Sequence, residues 1–138
     1  MSASRHAPAS RSSCNVDLFG VIYADPPWRY ANDVPSRSIE NHYRTMSDAE
    51  ICALKVPAAP DCVLYLWAAA PRLESALEVI KAWGFQYKTQ AVWDKGIAGL
   101  GYWWRGQHEI LITAVRGKVS TPPAALRKPS VIRCTRGR

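Results

Sequence analysis

Paired cysteines, long apolar runs and acidic residues near the chain ends are missing from this sequence of 138 residues. Its four cysteines (Cys14, Cys52, Cys62 and Cys134) form no Cys-x-x-Cys pair, and no histidine stands at zinc-finger spacing from them. Free thiols are therefore expected, rather than a disulfide framework or a metal site. No apolar run approaches the roughly 20 residues of a membrane span. The composition thus predicts a cytoplasmic protein that does not associate with membranes.

The first 15 residues also have no apolar segment behind their arginines, so they do not resemble a secretory signal. Residues 1–15 are rich in Ser, Ala and Arg, which is typical of a disordered leader. A mitochondrial-type transit peptide has a similar composition, and the residues alone leave that alternative open.

The net charge of +7 is located at the two ends of the chain. All eleven Asp and Glu residues lie within residues 16–115, whereas no acid follows Arg116. Residues 119–138 form a basic, proline-containing tail or loop, which suits contact with a phosphate backbone. A solvated, unfolded end has the same composition, so charge alone does not establish nucleic-acid binding.

Hydrophobic patterns predict four strands and two helices in a single domain. The strands are expected at residues 18–24, 61–68, 85–95 and 109–115, and the helices within residues 45–56 and 70–84. The glycine-rich, aromatic stretch 96–108 fits neither the helical nor the strand periodicity of apolar residues and is expected to be a mobile loop. Strands that alternate with helices predict an α/β sheet with right-handed crossovers.

The two expected helices carry local signals of their own. Ser47 with Glu50 is the sequence signature of a capping box at the start of the first helix. In the second helix, Leu73, Leu77 and Ile80 share one face, which should therefore pack against the sheet.

Charged residues follow two of the predicted strands directly. Asp25 comes after the first strand, and Asp94 and Lys95 come after the third. Ligands of open α/β sheets bind outside the carboxyl ends of the strands. A binding site is therefore expected at this edge, with Asp25 in it.

The segment Asp25-Pro26-Pro27-Trp28 could methylate the exocyclic amine of adenine. The lone pair of that amine is delocalised into the ring, so the Asp25 carboxylate and the Pro26 carbonyl would accept its hydrogens and free the lone pair. Two prolines fix the backbone that holds this carbonyl, and Trp28 offers a face for a flipped base. A simple turn, or a polyproline-type ligand, would use the same residues.

The order of several motifs resembles the MT-A70 family of S-adenosylmethionine-dependent adenine-N6 methyltransferases. The similar segments are "ADPPW", "HYRTMSDAEI", "LYLWAA", "VIKAWGF", "AVWDK" and "GYWWRGQHEILITAVRG". The resemblance covers roughly residues 18–118 and implies a Rossmann-like methyltransferase sheet with flanking helices, in a domain at 16–118. It implies that Asp25, Pro26, Pro27 and Trp28 form the catalytic loop, that Asp25 also contacts the cofactor S-adenosylmethionine, and that no metal takes part.

The same resemblance implies further substrate-binding residues. Tyr43 would line the base pocket, and Lys95 would stand near the active site. Trp104 and Arg105 could hold a target strand, because aromatic and cationic side chains alternate in their loop. Each has a structural alternative: Tyr43 as a packing residue of its loop, Lys95 as a solvated strand end, and the loop residues as packing groups.

The other residues singled out in these segments are expected to have structural roles. His108 and Glu109 match the His-Glu of the family and are expected to form a hydrogen-bonded pair. The aromatic residues Trp67, Trp83 and Trp93 are expected in the core rather than in stacking platforms.

The family pattern continues with a His-Ser-x-Lys-Pro stretch and a further strand, which the segment "RKPSVIRCTRGR" does not match. Lys128 is therefore given no cofactor role. The sheet is expected to be incomplete on its C-terminal side, with one open edge that a partner chain or a second copy could cover.

The function expected from these features is methyl transfer to adenine in DNA. Two alternatives stay open: an RNA adenine methyltransferase, and a catalytically inactive nucleic-acid-binding subunit or truncated copy.

Overall fold

A mixed five-stranded sheet forms the centre of the computed structural model, which describes residues 17–29 and 44–133. Its strands are β1 (Phe19–Ala24), β2 (Ala58–Ala69), β3 (Gln86–Asp94), β4 (His108–Arg116) and β5 (Val131–Arg133). The four strands expected from the sequence are all present. The fifth lies in the predicted basic tail, and the sequence patterns did not predict it.

The strand order β1-β2-β4-β3-β5 places one antiparallel strand among four parallel ones. β1 pairs in parallel with β2, and β3 pairs in parallel with β5, whereas β4 runs antiparallel to both of its neighbours. The carboxyl ends of β1, β2, β3 and β5 therefore meet the start of β4 at one edge, which we call the carboxyl edge. The predicted α/β class, with a methyltransferase-like sheet and flanking helices, is confirmed.

A short helix, α1 (Asp48–Cys52), begins at the capping box that the sequence predicts. The Ser47 backbone N–H donates to the Glu50 carboxylate at 2.7 Å, and the Glu50 N–H donates to the Ser47 hydroxyl at 3.3 Å. These two bonds satisfy free donors of the first turn. A five-residue helix therefore starts at a defined position behind the segment 44–47.

The longer helix, α2 (Leu73–Ala82), follows a 3₁₀ turn at Ala70–Arg72 and ends before Gly84. Gly84 has a φ of 78°, a conformation that favours glycine after a helix. The buried residues of this helix are Ala76, Val79 and Ile80, while the predicted contact residues Leu73 and Leu77 are only partly buried. Ile80 is thus buried, and Leu73 and Leu77 pack against the core, so the predicted contact face is confirmed, with Ala76 and Val79 added to it.

One face of the sheet forms the core under the two helices. Alternate residues of β2 and β4 are buried there: Cys62, Leu64, Leu66, Ala68, Ile110, Ile112 and Ala114. Trp83 is buried as expected, and its indole N–H donates to the Ile51 carbonyl at 2.9 Å. Trp67 and Trp93 are only half-buried and contact each other on the opposite face. The expectation that these two residues belong to the core is wrong, since their strand register turns them away from the helices.

No helix in the described part of the chain has the length and apolar character needed to cross a membrane.

We expect Gly117→Ala to lower the free energy of unfolding more than Gly96→Ala. Both glycines have a positive φ (68° and 73°), which costs another residue about 1–2 kcal/mol. A Cβ at position 117 would also collide with the Asp61 carboxylate and the Pro60 carbonyl, whereas a Cβ at position 96 meets nothing within 4 Å. Urea unfolding of both variants measures the difference, and equal losses would contradict the steric role of this turn.

Candidate active site

The segment Asp25–Trp28 forms a tight loop at the carboxyl edge, directly after β1. The Trp28 backbone N–H donates to the Pro26 carbonyl at 2.8 Å, which closes the turn. A parallel bridge joins Trp28 to Met46: the Met46 N–H donates to the Pro27 carbonyl at 2.8 Å, and the Arg29 N–H donates to the Met46 carbonyl at 3.2 Å. The loop is thus held on both sides by backbone hydrogen bonds.

Trp28 supports this loop from below. Its side chain is only 5% exposed, and its indole N–H donates to the Trp67 carbonyl at 3.1 Å. The Arg72 guanidinium lies 5.8 Å from the ring centroid and pairs with Asp48. The expectation that Trp28 offers an open face to a base is therefore wrong, because burial and the indole hydrogen bond commit the ring to the fold. Its rim alone reaches the cavity described next.

A cavity of about 500 Å³ opens beside the loop. It is lined by Asp25, Pro26, Pro27, Trp28, Arg44, Thr45, Trp67, Ala68, Ala69 and Glu109. This volume lies within the roughly 300–1,000 Å³ that small-molecule sites occupy. The structure thus brings the four predicted catalytic residues together around a space large enough for a substrate or cofactor.

The cavity contains two carboxylates, Asp25 and Glu109. Burial of the Asp25 carboxyl, and then the negative charge of Glu109, raise the pKa of Asp25 above its ordinary value. Arg44 lies on the same wall and contributes a positive charge. An acid with a raised pKa accepts a proton more readily, which suits a proton acceptor in catalysis.

Lys95 lies beside this cavity rather than in its lining. Its ammonium pairs with the Glu109 carboxylate at 2.6 Å and lies 5.9 Å from the centroid of the Trp93 ring. Glu109, which the sequence suggested as a structural partner of His108, instead lines the cavity together with Asp25 and pairs with Lys95. His108 lines a separate depression with Asp94 and Gln107. Glu109 could have been found from the sequence as the second residue of the strand that follows the loop, had the antiparallel direction of β4 been known.

Trp104 and Arg105 lie in the loop between β3 and β4, away from the cavity lining. Trp103 and Trp104 are 93% and 88% exposed. The Arg105 guanidinium donates to the carbonyls of Gly99 and Ala98 at 3.1 and 3.2 Å, so it organises its own loop. The two predicted residues therefore differ: the Trp104 ring is available to a partner, whereas the Arg105 guanidinium is largely occupied by hydrogen bonds within its loop.

Two further expectations concern Tyr43 and a metal site. Tyr43 lies outside the described residues. Within residues 17–29 and 44–133, no cluster of three or more His, Cys, Asp or Glu side chains could hold a metal ion.

Comparison with known proteins identifies several relatives. The MT-A70 family model matches residues 19–127. The Type II methyltransferase M.MunI of a Mycoplasma species is 31% identical over 140 residues, which cover 86% of this chain and 60% of M.MunI. A probable N(6)-adenosine-methyltransferase MT-A70-like protein of Oryza sativa subsp. japonica is 30% identical over 108 residues, covering 72% of this chain and 14% of the rice protein. The N(6)-adenosine-methyltransferase subunit METTL3 of Danio rerio is 31% identical over 78 residues, 56% of this chain and 12% of the subunit.

The matched part of this chain therefore spans less than two thirds of the length of each of these relatives. The family match begins at the first residue of β1 and continues past β4, so it includes the loop at 25–28 and every described residue that lines the cavity. On this match over most of its length, the chain belongs to the MT-A70 family.

Proposed function

We propose that this protein transfers a methyl group from S-adenosylmethionine to the exocyclic amine of adenine in DNA. The observation that carries the proposal is that Asp25 and Pro26, which contribute a carboxylate and a backbone carbonyl as hydrogen-bond acceptors, both line the cavity. Acceptors held in place before the substrate binds need no rearrangement during the reaction.

The amine has two hydrogens, and each acceptor can take one. The Pro26 carbonyl already accepts the Trp28 N–H, but a carbonyl oxygen has a second lone pair. Hydrogen bonds at both positions draw the amine nitrogen towards tetrahedral geometry and free its lone pair. Bound S-adenosylmethionine supplies an electrophilic methyl group. The S–CH3 bond of the donor would break as the N–C bond forms, and the donor would leave as the neutral thioether. The amine nitrogen would then carry the positive charge, and Asp25 would take the proton that it already accepts.

The charges of the cavity fit this methyl donor. S-adenosylmethionine carries a sulfonium and an ammonium, and the cavity presents the carboxylates of Asp25 and Glu109. Asp25 would thus contact both the cofactor and the amine. Apolar lining from Trp67, Ala68 and Ala69 adds a surface on which a flat ring can pack.

The loop between β3 and β4 supplies a second contact for the nucleic acid. Adenine must leave the base stack to reach the cavity, so the strand around it needs support. Trp103 and Trp104 are almost fully exposed, and aromatic rings of this kind stack on bases of any sequence. We assign this stacking role to the two rings, since Trp28 is buried.

DNA is proposed ahead of RNA because of the extent of the similarities. The similarity to the type II methyltransferase, which we take as support for DNA, covers 86% of this chain, whereas the similarity to the rice N(6)-adenosine-methyltransferase, which we take as support for RNA, covers 72%. Incubation with radiolabelled S-adenosylmethionine and matched deoxyribo- and ribo-oligonucleotides tests the choice. We expect faster labelling of the deoxyribo-oligonucleotide, and preferential labelling of the ribo-oligonucleotide would replace DNA by RNA.

We expect Asp25→Asn to lower the rate of methyl transfer at saturating cofactor by roughly 100- to 1,000-fold, as the loss of one preorganised hydrogen-bonding group does in other enzymes. The amide keeps the shape of the side chain but cannot take the proton of the amine.

The matched control is Glu74→Gln, the same chemical change at an exposed position of α2. It should leave the rate unchanged. The thermal unfolding midpoint of both variants should stay at that of the wild-type chain. Full activity of the Asp25→Asn variant would rule out the role given to this carboxylate. A wild-type chain that binds no S-adenosylmethionine in calorimetry would favour the inactive-subunit alternative.

The exposed tryptophans generate a separate prediction. Replacing both Trp103 and Trp104 by Ala should weaken binding of a single-stranded oligodeoxynucleotide by about tenfold or more, because each base stacked on a ring contributes about 1–3 kcal/mol. Fluorescence anisotropy of a labelled strand measures the affinity. Leu100→Ala, at an equally exposed apolar position of the same loop, serves as control and should bind normally. Unchanged affinity of the double variant would exclude stacking by this loop.

A further inference from the structure

The pairing of Lys95 with Glu109 controls the charge that Asp25 experiences. Two carboxylates in one cavity repel each other, and each raises the pKa of the other unless a cation compensates. Glu109 does raise the pKa of Asp25, as a contribution second to burial. Glu109 forms an ion pair with Lys95, whose ammonium lies 2.6 Å from the Glu109 carboxylate.

The position of Lys95 is set by the sheet and not by the side chain alone. Its backbone N–H donates to the Gln107 carbonyl at 2.9 Å, which extends the β3–β4 pairing by one residue. Its ammonium lies over Trp93, and the Trp93 ring contacts Trp67 edge to face with centroids 6.1 Å apart. Trp67 in turn lines the cavity. A row of two rings therefore supports the ammonium next to Glu109.

Other charged groups near the cavity have different partners or positions. Arg44 lies on the cavity wall beside Asp25. Arg72 lies behind the Trp28 ring and pairs with Asp48. His108 is next to Glu109 in sequence, but alternation along β4 directs it to the depression that contains Asp94. Lys95 thus pairs with Glu109, with its ammonium 2.6 Å from the carboxylate.

We propose that Lys95 is a positioning residue, whose ammonium compensates the charge of the Glu109 carboxylate and holds it turned towards β3, so that Asp25 is the carboxylate that accepts the proton of the amine. This role differs from the substrate contact expected from the sequence, because Lys95 acts through Glu109 and does not line the cavity. The inference rests on the proposed function only for its catalytic consequence. The electrostatic link itself exists with or without methyl transfer.

The link predicts how Asp25 titrates in variants of the pair. Lys95→Met leaves the charge of Glu109 uncompensated, so the titration midpoint of Asp25 should move to higher pH. Lys95→Arg keeps the charge and should leave the midpoint in place. Glu109→Gln removes the repulsion and should move the midpoint to lower pH. Lys95→Met should have little further effect once Glu109 is Gln, because the group through which Lys95 acts is then neutral.

Carbon-13 NMR of the side-chain carboxyls in the full 138-residue chain measures these midpoints, with Asp25→Asn used to assign the Asp25 signal. Lys88→Met serves as the matched control, because Lys88 lies on the same strand and bonds to Gln86. An Asp25 midpoint that stays in place in Lys95→Met would overturn the proposal. The same holds for a Lys95→Met shift that persists in full in the Glu109→Gln background, because Lys95 would then act directly.

Kinetics separates this inference from the proposed function. If the chain transfers methyl groups, the acidic limb of the pH dependence of kcat/KM should move with the Asp25 midpoint in each variant. The Asp25 midpoints of the variants could follow the expected order although the wild-type chain transfers no methyl group. That outcome would support the electrostatic link and refute the proposed activity. If the enzyme is active but the acidic limb of its kcat/KM profile does not move in Lys95→Met, the link is refuted and the proposed activity is not.

Discussion

The buried indole of Trp28 is the constraint on which the candidate site depends. Its N–H bonds to the carbonyl of Trp67 on β2, so the loop after β1 is attached to the neighbouring strand by a side chain as well as by the backbone. Truncating a buried tryptophan costs about 3–5 kcal/mol. This energy holds the two prolines and Asp25 at the carboxyl edge. The residue that looked like a contact for the substrate is instead what makes the loop rigid enough to hold its acceptors.

The direction of β4 is the second determinant of the site. In an all-parallel sheet the first residues of a strand lie at the edge opposite to the ligand. Because β4 runs antiparallel to β2 and β3, its first residues return to the carboxyl edge, and Glu109 lines the same cavity as Asp25. The same pairing places Trp93 opposite Glu109, two residues before Lys95. One reversed strand thus supplies both the second carboxylate and the frame for its cation.

Local sequence signals predicted the helices and strands well, but they did not predict contacts between residues that are distant in the sequence. The strand before Asp25 and the capping box of Ser47 and Glu50 depend on neighbouring residues, so they were visible in the sequence. The burial of Trp28 and the contact of Glu109 with the cavity depend on which strands become neighbours, which periodicity does not encode. The strand Val131–Arg133 was missed because three residues in a basic, proline-containing segment carry too little hydrophobic pattern.

The six tryptophans occupy three distinct environments: buried (Trp28 and Trp83), half-buried (Trp67 and Trp93) and exposed (Trp103 and Trp104). Indole emission moves to longer wavelength as water reaches the ring. The long-wavelength part of the intrinsic fluorescence therefore comes mainly from the loop between β3 and β4, and the short-wavelength part comes from Trp28, in the loop after β1, and from Trp83 in the core. A soluble quencher would extinguish the first part before the second, so the loop and the interior of this chain can be followed separately without an added label.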